Sequence, residues 1–466
     1  MNSESKRGNF TGTIGFVLAA SGSAVGLGNI WRFPYLAAKD NGGVFIFFYI
    51  ILALTFGFAL LTTEIAIGRK TGQSPLMAYG TIHKKWKGIG ALACLVPIII
   101  LPYYCVIGGW VMKYFFTFTT GAGSSAASDG YFTNYISEMA SPIIWLTVFL
   151  LLTAIVVYSG VEKGIEKYSK ILMPILLILI IGISVYSLTL TYTDTDGVTR
   201  TGLQGLKIYL IPDFSGMVLK DYFIVIMDAL GQLFFSISVA MGIMVAYGSY
   251  VKKDVNLMKS INQIEIFDTV VALLAGLMIV PAVFTFMGRD GMSSGPGLMF
   301  ISLPKVFSSM GFAGNIIGLL FFLMVIFASV TSSVSVMEAI VSSMMDKYKL
   351  SRHKSTVIVT AYGLIMGIIV CLGYNLLYFN IKLPNGNAAQ ILDVLDYISN
   401  NCLMPLVALL TCILIGWVVK PKTIIDEVRL GGYKFGRKRL YIVMIKFIAP
   451  FMLLVLLLKS LGVPIL

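Results

Sequence analysis

Histidine, cysteine and charge are all scarce in this 466-residue sequence, and each scarcity removes a class of protein. The two histidines, His83 and His353, both sit in charged connecting segments, which argues against zinc chemistry. Five cysteines (Cys94, Cys105, Cys371, Cys402 and Cys412), all inside apolar runs, are too few for a secreted disulfide scaffold. Charged residues make up 12% of the chain against 57% hydrophobic, and mean hydropathy is +0.87. Soluble domains are about one quarter charged, so water would not hold this surface. No nucleophile–base set, His or acid cluster, or phosphate loop stands out, and no enzyme activity is expected.

What is abundant is apolar sequence in long runs. A bilayer core of roughly 30 Å takes about 20 helical residues, and eleven stretches are long enough: 12–37, 42–68, 88–116, 142–160, 165–190, 222–250, 262–288, 313–345, 355–378, 390–418 and 438–463. The first is too long for the apolar region of a signal peptide, so no cleavable leader is expected. The net charge of +13 is a matter of topology. With the N-terminus inside, 24 Lys/Arg fall in cytoplasmic segments, 7 on the opposite side and 4 within spans. That bias predicts a cytoplasmic N-terminus, an external C-terminus and no nucleic-acid partner.

The organisation expected is one transmembrane domain over 1–466: a first repeat at about 12–190, a second at about 222–418, and an additional helix at about 438–463. The outer connections are 117–141, 191–221 and 289–312, and the last, through Ser293–Gly297, reads as a re-entrant hairpin. Spans one and six share a Gly- or Ser-broken centre, Ala20–Gly28 and Phe235–Gly242. They lie five spans apart and so cross the membrane in opposite directions. Broken helices in matching positions of inverted halves point to a binding site at the midplane. Such backbone is tolerated at that depth only where it is buried or lines a cavity. Small residues that merely let helices pack closely would leave the same trace.

Several motifs are more specific: GLGNIWRFPY at Gly26–Tyr35, Gly42-Gly43, EIAIGR at Glu64–Arg69, GQLFF at Gly231–Phe235, Gly295-Pro296-Gly297 and Leu303-Pro304-Lys305. Together they resemble the neurotransmitter:sodium symporter family, and its bacterial amino-acid transporters most. The resemblance runs from about Arg7 to about Trp417. It implies an all-α, leucine-transporter-like fold with eleven transmembrane helices, an inverted 5+5 repeat and broken helices 1 and 6. The bacterial inner membrane is the expected location.

The resemblance also implies two sodium sites. One takes the carbonyls of Gly22, Val25 and Ala328 with the hydroxyls of Thr331 and Ser332. Sodium is a hard ion for which neutral oxygens suffice, although hydroxyls in a helix also bond back to the preceding turn. The second site takes the Ala24 carbonyl, the Asn29 side chain, Ser236 and the carboxylate of the substrate. Span seven departs from the family pattern, because no Asn falls where the family places one. Asp268 is the informative residue there, since a carboxylate deep in a membrane costs about 2.5–3.5 kcal/mol on insertion scales. It reads as the negative charge that chloride supplies in chloride-dependent relatives, so no chloride requirement is expected. The alternative places Asp268 near the surface, facing water with Glu265.

For the substrate pocket, Gly26 leaves space where monoamine carriers have Asp, so the charge beside sodium comes from an α-amino acid. Free N–H groups at Leu27 and Gly28 suit its carboxylate. The resemblance implies that Tyr104 binds the carboxylate and that Phe235 covers the ligand. Ser23, Ala24, Ile100, Ser236, Ser238, Met241, Ser332 and Val336 complete the lining. Met241 stands where leucine carriers have Phe, which suits a large hydrophobic substrate (Tyr, Trp, Phe or Leu), whereas the added methyl of Ala240 tightens the turn. Arg32 and Asp396 resemble an outer gate, with Gln232 nearby and Asp393 one turn from Asp396. Arg7 and Asp346 resemble an inner gate, with Tyr250 and Ser249 behind. Gly164 and Pro174 are spaced as in family members whose fifth helix unwinds on the inner side. The function implied is sodium-coupled symport of a large or aromatic L-amino acid by alternating access. A membrane sensor that binds the amino acid without moving it would share the pocket. Oligomeric state is not legible.

Overall fold

A computed structural model describes residues 8–194, 196–289, 291, 297–384 and 386–463. Among them, nine helices are long and apolar enough to cross a membrane: Gly43–Thr71, Lys84–Thr119, Ala140–Tyr158, Val161–Leu188, Leu257–Met287, Phe312–Tyr348, Arg352–Leu372, Ile391–Val418 and Lys438–Ser460. A tenth span is broken, with Thr13–Ala24 and Gly28–Lys39 meeting at 53°. The stretch read as span six is divided as well, into Leu219–Ser236 and Ile243–Gly248. Its outer piece carries Lys220, Asp221 and Asp228, so length and apolar composition alone mark ten spans where the sequence suggests eleven. The spans are numbered below as the sequence orders them.

Local chemistry sets the helix boundaries. Span two closes on Gly72, whose φ of 64° is left-handed and whose N–H reaches Gly68 O at 2.8 Å. Asn256 and Ser351 cap the starts of spans seven and nine by accepting from Lys259 N and Lys354 N. Span five winds through a wide turn at Val161–Glu166 into Lys167–Leu188, with Pro174 inside the helix. The Gly164–Pro174 stretch is therefore helical here rather than unwound. Exposed Ile, Val, Leu and Phe side chains cluster on spans four, five and eleven, the peripheral helices that would face lipid.

The outer connections are structured. Thr191–Thr193 pairs antiparallel with Thr199–Thr201 and leads into the helix Gly202–Leu210. The connection at 289–312 contains an apolar helical segment, Leu298–Ser309; residues 292–296, which hold most of the expected hairpin turn, lie outside the described residues.

At the centre, spans one and six pack with their breaks side by side. Helix one stops at Ala24 because Val25 turns to extended backbone (φ −74°, ψ 96°), and Asn29 recaptures the loose end by accepting from Gly26 N–H at 3.2 Å. Helix six stops at Ser236 and restarts at Ile243 through left-handed backbone at Ser238 (φ 53°), Ala240 (φ 62°) and Gly242 (φ 74°). Glu64 on span two pins this turn by accepting from Ala240 N–H at 2.6 Å.

Candidate substrate and sodium site

The first cluster lies where span one meets span eight. Ser332 Oγ sits 3.1 Å from Ser23 O, 3.3 Å from Val25 O and 3.4 Å from Gly22 O. Thr331 donates to Phe327 O at 2.9 Å and to Ala328 O at 3.0 Å. Its proton therefore bonds back to the preceding turn, but a cation needs only the oxygen lone pairs. The expected oxygens of Gly22, Val25, Ala328, Thr331 and Ser332 are thus gathered in one place, all neutral, as suits a hard monovalent ion. Gly22 is held tightly: a Cβ there would come within 3.2 Å of Thr331 Cβ.

The second cluster joins spans one, six and seven. Asn29 donates its amide to Asp268 Oδ1 at 2.8 Å and to Ser236 Oγ at 2.9 Å. Ser236 donates to the same carboxylate at 2.8 and 3.0 Å. Asp268 is 1% exposed, so it does not face water. Nor does Glu265, which is buried and holds Arg437 at 2.7 Å. Tyr49 on span two is a buried neighbour of Asp268 that sequence reasoning passed over; its position in an unbroken apolar helix gave no signal.

Between the clusters is a small cleft lined by Ser23, Ala24, Leu27, Gly28, Ile100, Tyr104, Phe235, Ser236, Ser238, Met241, Ser332 and Val336, every residue expected there. Gly26 faces it too, and a Cβ at that position would meet Ser332 Oγ at 2.7 Å and Tyr104 Oη at 3.1 Å. Ser23 and Ser238 bond across the cleft at 3.1 Å. The buried hydroxyl of Tyr104, beside Ser332 and Leu27, has no close hydrogen-bond partner among the described residues, so an acceptor such as a carboxylate would satisfy it. The free space in the cleft is about 30 Å³, room for ordered water rather than for an amino acid. A large substrate must therefore displace lining side chains, and Met241 is the flexible one.

The two ends of the path differ. Phe235 packs on Gly28, leaving no room for a Cβ there, and separates the cleft from a vestibule of about 760 Å³ that both Arg32 and Asp396 line. Those two residues share the vestibule but form no ion pair. Arg32 lies 5.7 Å above the Phe235 ring, whereas Asp396 accepts from Asn400 at 2.6 Å. Gln232 bonds Gly28 O at 2.9 Å, and Asp393 lies on the vestibule wall.

The opposite end is sealed. Phe10 is buried against Tyr247 and Tyr250, and Tyr247 bonds Ser335 at 2.7 Å. Tyr250 donates to Glu338 at 2.5 Å, and Glu338 takes a two-pronged bond from Arg352 at 2.6 and 2.9 Å. Asp346 accepts from Ser74 N–H at 2.7 Å, and Ser249 packs beside the same Tyr247–Tyr250 turn. Arg7, the other half of the expected inner gate, lies outside the described residues. The buried Glu338–Arg352 pair was not anticipated.

A multi-pass helical membrane protein with two broken helices abutting at mid-depth, oxygen clusters beside the breaks and one sealed end has the architecture of a secondary transporter. The profile of the sodium:neurotransmitter symporter family matches residues 7–124 and 127–464. The chain is 32% identical over 468 residues to an uncharacterized sodium-dependent transporter, YhdH, of Bacillus subtilis (strain 168), covering 99% of each. It is 30% identical over 474 residues to an uncharacterized sodium-dependent transporter of Haemophilus influenzae (strain ATCC 51907 / DSM 11121 / KW20 / Rd), covering 98% of each. Its fold matches the crystal structure of MhsT in complex with L-phenylalanine at a TM-score of 0.85 and 33% identity, covering 97% of this chain and 100% of that one. The chain belongs to the sodium:neurotransmitter symporter family.

Proposed function

We propose that the protein is a sodium-coupled symporter of a large hydrophobic or aromatic L-amino acid. The observation that carries this reading is the buried Asn29–Ser236–Asp268 cluster at the meeting point of the two broken helices. A carboxylate there, hydrogen-bonded but without a Lys or Arg partner among the described residues, calls for a cation, and Ala24 O and the Asn29 and Ser236 oxygens can complete its shell. A second sodium would sit among the oxygens of Gly22, Val25, Ala328, Thr331 and Ser332. The substrate's carboxylate would rest on the N–H groups of Leu27 and Gly28 and on Tyr104, with its side chain toward Ile100, Met241 and Val336. L-Phenylalanine in MhsT supports an aromatic substrate in this chain as well. With Asp268 supplying the anion, chloride is not needed.

Alternating access would exchange the open vestibule for an open inner end. Arg32 and Asp396 would close over Phe235 while the Tyr250–Glu338–Arg352 set parts, and Arg7 with Asp346 is proposed as the inner gate. Each sodium carries one charge across the membrane, which yields roughly 2.3 kcal/mol per 100 mV. Two ions with a zwitterion would supply about twice that. The whole chain acts as one transmembrane unit, with repeats at about 12–190 and 222–418 and an added helix at about 438–463. Its orientation follows the Lys/Arg bias: in a bacterial inner membrane, N-terminus inside and C-terminus outside.

Uptake of radiolabelled phenylalanine and leucine into proteoliposomes, with and without an inward sodium gradient, tests the proposal. Concentrative uptake only with the gradient is expected. Saturable binding with no accumulation would instead make the protein a sensor.

A further inference from the structure

A further large groove lies apart from the substrate cleft and the vestibule. It is an elongated groove of about 920 Å³, lined by Leu76, Trp86, Leu92, Ile340, Met344 and Ile358 among others. Spans three, eight and nine form its walls, and Leu410 of span ten contributes to its floor. Its outer lips, Leu95, Tyr348 and Ile358, are each at least 40% exposed, so the groove opens sideways off the bundle. The hydroxyls within it are already satisfied: Ser343 donates to Ala339 O at 2.8 Å, and Tyr362 to Ile98 O at 2.9 Å. The depth of the groove therefore asks nothing of a polar ligand.

Charge is confined to one end. Lys85, just before span three turns into regular helix, and Lys347, at the end of span eight, both line the groove at the basic side of the membrane. Both are exposed, and no carboxylate pairs with either among the described residues. The neighbouring Asp346 directs one oxygen to Ser74 N–H. Lys84 and Lys87 flank Lys85 with no acid in between, and Trp86, an interface-loving side chain, lies on the wall. Basic pockets between helices at this level bind anionic head groups.

We propose that this groove is a binding site for one anionic phospholipid, its acyl chains lying along Leu92, Leu95, Ile358 and Met344 and its phosphate held between Lys85 and Lys347. An amino acid or sugar is a poor fit to so apolar a lining, and a neutral lipid would leave the two ammonium groups unused. Leu76 and Lys347 stand next to Ser74 and Asp346, so an occupant would touch the elements that seal the inner end.

The test is native mass spectrometry of the full chain released from vesicles of equal phosphatidylglycerol and phosphatidylcholine. Wild type should retain one phosphatidylglycerol in preference to phosphatidylcholine. Each lysine near an anionic headgroup is worth roughly fivefold in binding, so K85Q/K347Q should lower that preference on the order of thirtyfold. Ala91→Trp, which fills the groove from its exposed edge, should remove both lipids. Sodium-dependent thermal stabilisation by substrate, unchanged in K85Q/K347Q, would show that the variant is folded. Equal phosphatidylglycerol retention by wild type and K85Q/K347Q would overturn the proposal. So would efficient Ala91→Cys self-cross-linking in the bilayer, which would make a second copy the occupant.

Discussion

Asn29 and Asp268 lie 2.8 Å apart although 239 residues separate them, and Ser236 bonds the same carboxylate from span six. Three helices, two of them broken, therefore converge on a single buried acid. Leaving an ion of one sign uncompensated in such a place costs several kcal/mol, and the sodium proposed here would compensate it.

Replacing chloride by gluconate should accordingly leave wild-type uptake unchanged. Asp268→Ser removes the fixed anion, and losing one member of a buried charge pair costs about 3–5 kcal/mol. Uptake by that variant in gluconate should drop by at least about tenfold and recover when chloride is restored. Chloride-dependent transport by the wild type would show that Asp268 does not fill the anion's place.

The Thr331 and Ser332 hydroxyls are the side-chain members of the other cluster. Thr331→Val with Ser332→Ala keeps shape while removing both oxygens. Sodium-driven uptake should disappear, and circular dichroism and gel filtration should be unchanged. Ordinary sodium dependence in the double variant would rule out this set as an ion site.

Legibility in the sequence followed the range of the interaction. The breaks were visible because Gly and Ser at Ala20–Gly28 and Phe235–Gly242 are a local property, and the motif around Gly26–Tyr35 carried the resemblance from which the proposed site residues follow. The residues that the resemblance implies for the substrate lie around one small cleft. Partners brought together only by packing left no trace: Tyr49 beside Asp268, Arg352 on Glu338, and Arg437 on Glu265. Span six, counted over 222–250 in the sequence, folds as two pieces, Leu219–Ser236 and Ile243–Gly248, and the outer one carries Lys220, Asp221 and Asp228. Arg32 and Asp396, which the resemblance implies as an outer gate, share a cavity without pairing in this structure.

Ala240 holds φ at 62°, a left-handed conformation that costs a residue with a Cβ roughly 1–2 kcal/mol. Glycine relieves that strain, offset by about 0.4–1 kcal/mol from its freer unfolded chain. Ala240→Gly should raise the thermal unfolding midpoint slightly. Glu64→Ala, which strips the acceptor from Ala240 N–H, should lower it through a loss of about 1–3 kcal/mol. A fall in the midpoint of Ala240→Gly would mean that the methyl packs more favourably than the backbone is strained.

Asp40, in the outer turn between spans one and two, has its carboxyl pushed up to about 7, first by burial and then by the nearby Asp228, with Lys39 acting in the opposite sense. One of its oxygens is buried with no partner among the described residues. Because its folded value lies above the unfolded one, its favourable contribution is full below about pH 4 and is lost as pH rises through about 7. Asp40→Asn should raise the unfolding midpoint relative to wild type at pH 8, with the gap closing by pH 5. A gap independent of pH would place the effect in packing rather than ionisation.

On the proposed reading, Met241 decides which side chain the cleft admits. It lies between Ala240 and Gly242, both left-handed, so its backbone is held while its side chain is free to adapt. The cleft of about 30 Å³ cannot take a phenyl ring until something moves. Of the lining side chains, Ile100 and Val336 are branched, Phe235 is rigid, and Met241 alone combines length with several rotors. Its sulfur also favours aromatic rings by about 0.3–1.5 kcal/mol. Met241→Phe replaces that adaptable contact by a fixed ring and should weaken Phe, Tyr and Trp about twofold to tenfold, with Leu less affected. Competition of all twenty amino acids against bound labelled phenylalanine, in wild type and variant, reads the shift directly. A wild-type preference for Gly, Ala or a charged amino acid would mean that the cleft does not open at Met241 and that its size as folded sets the substrate.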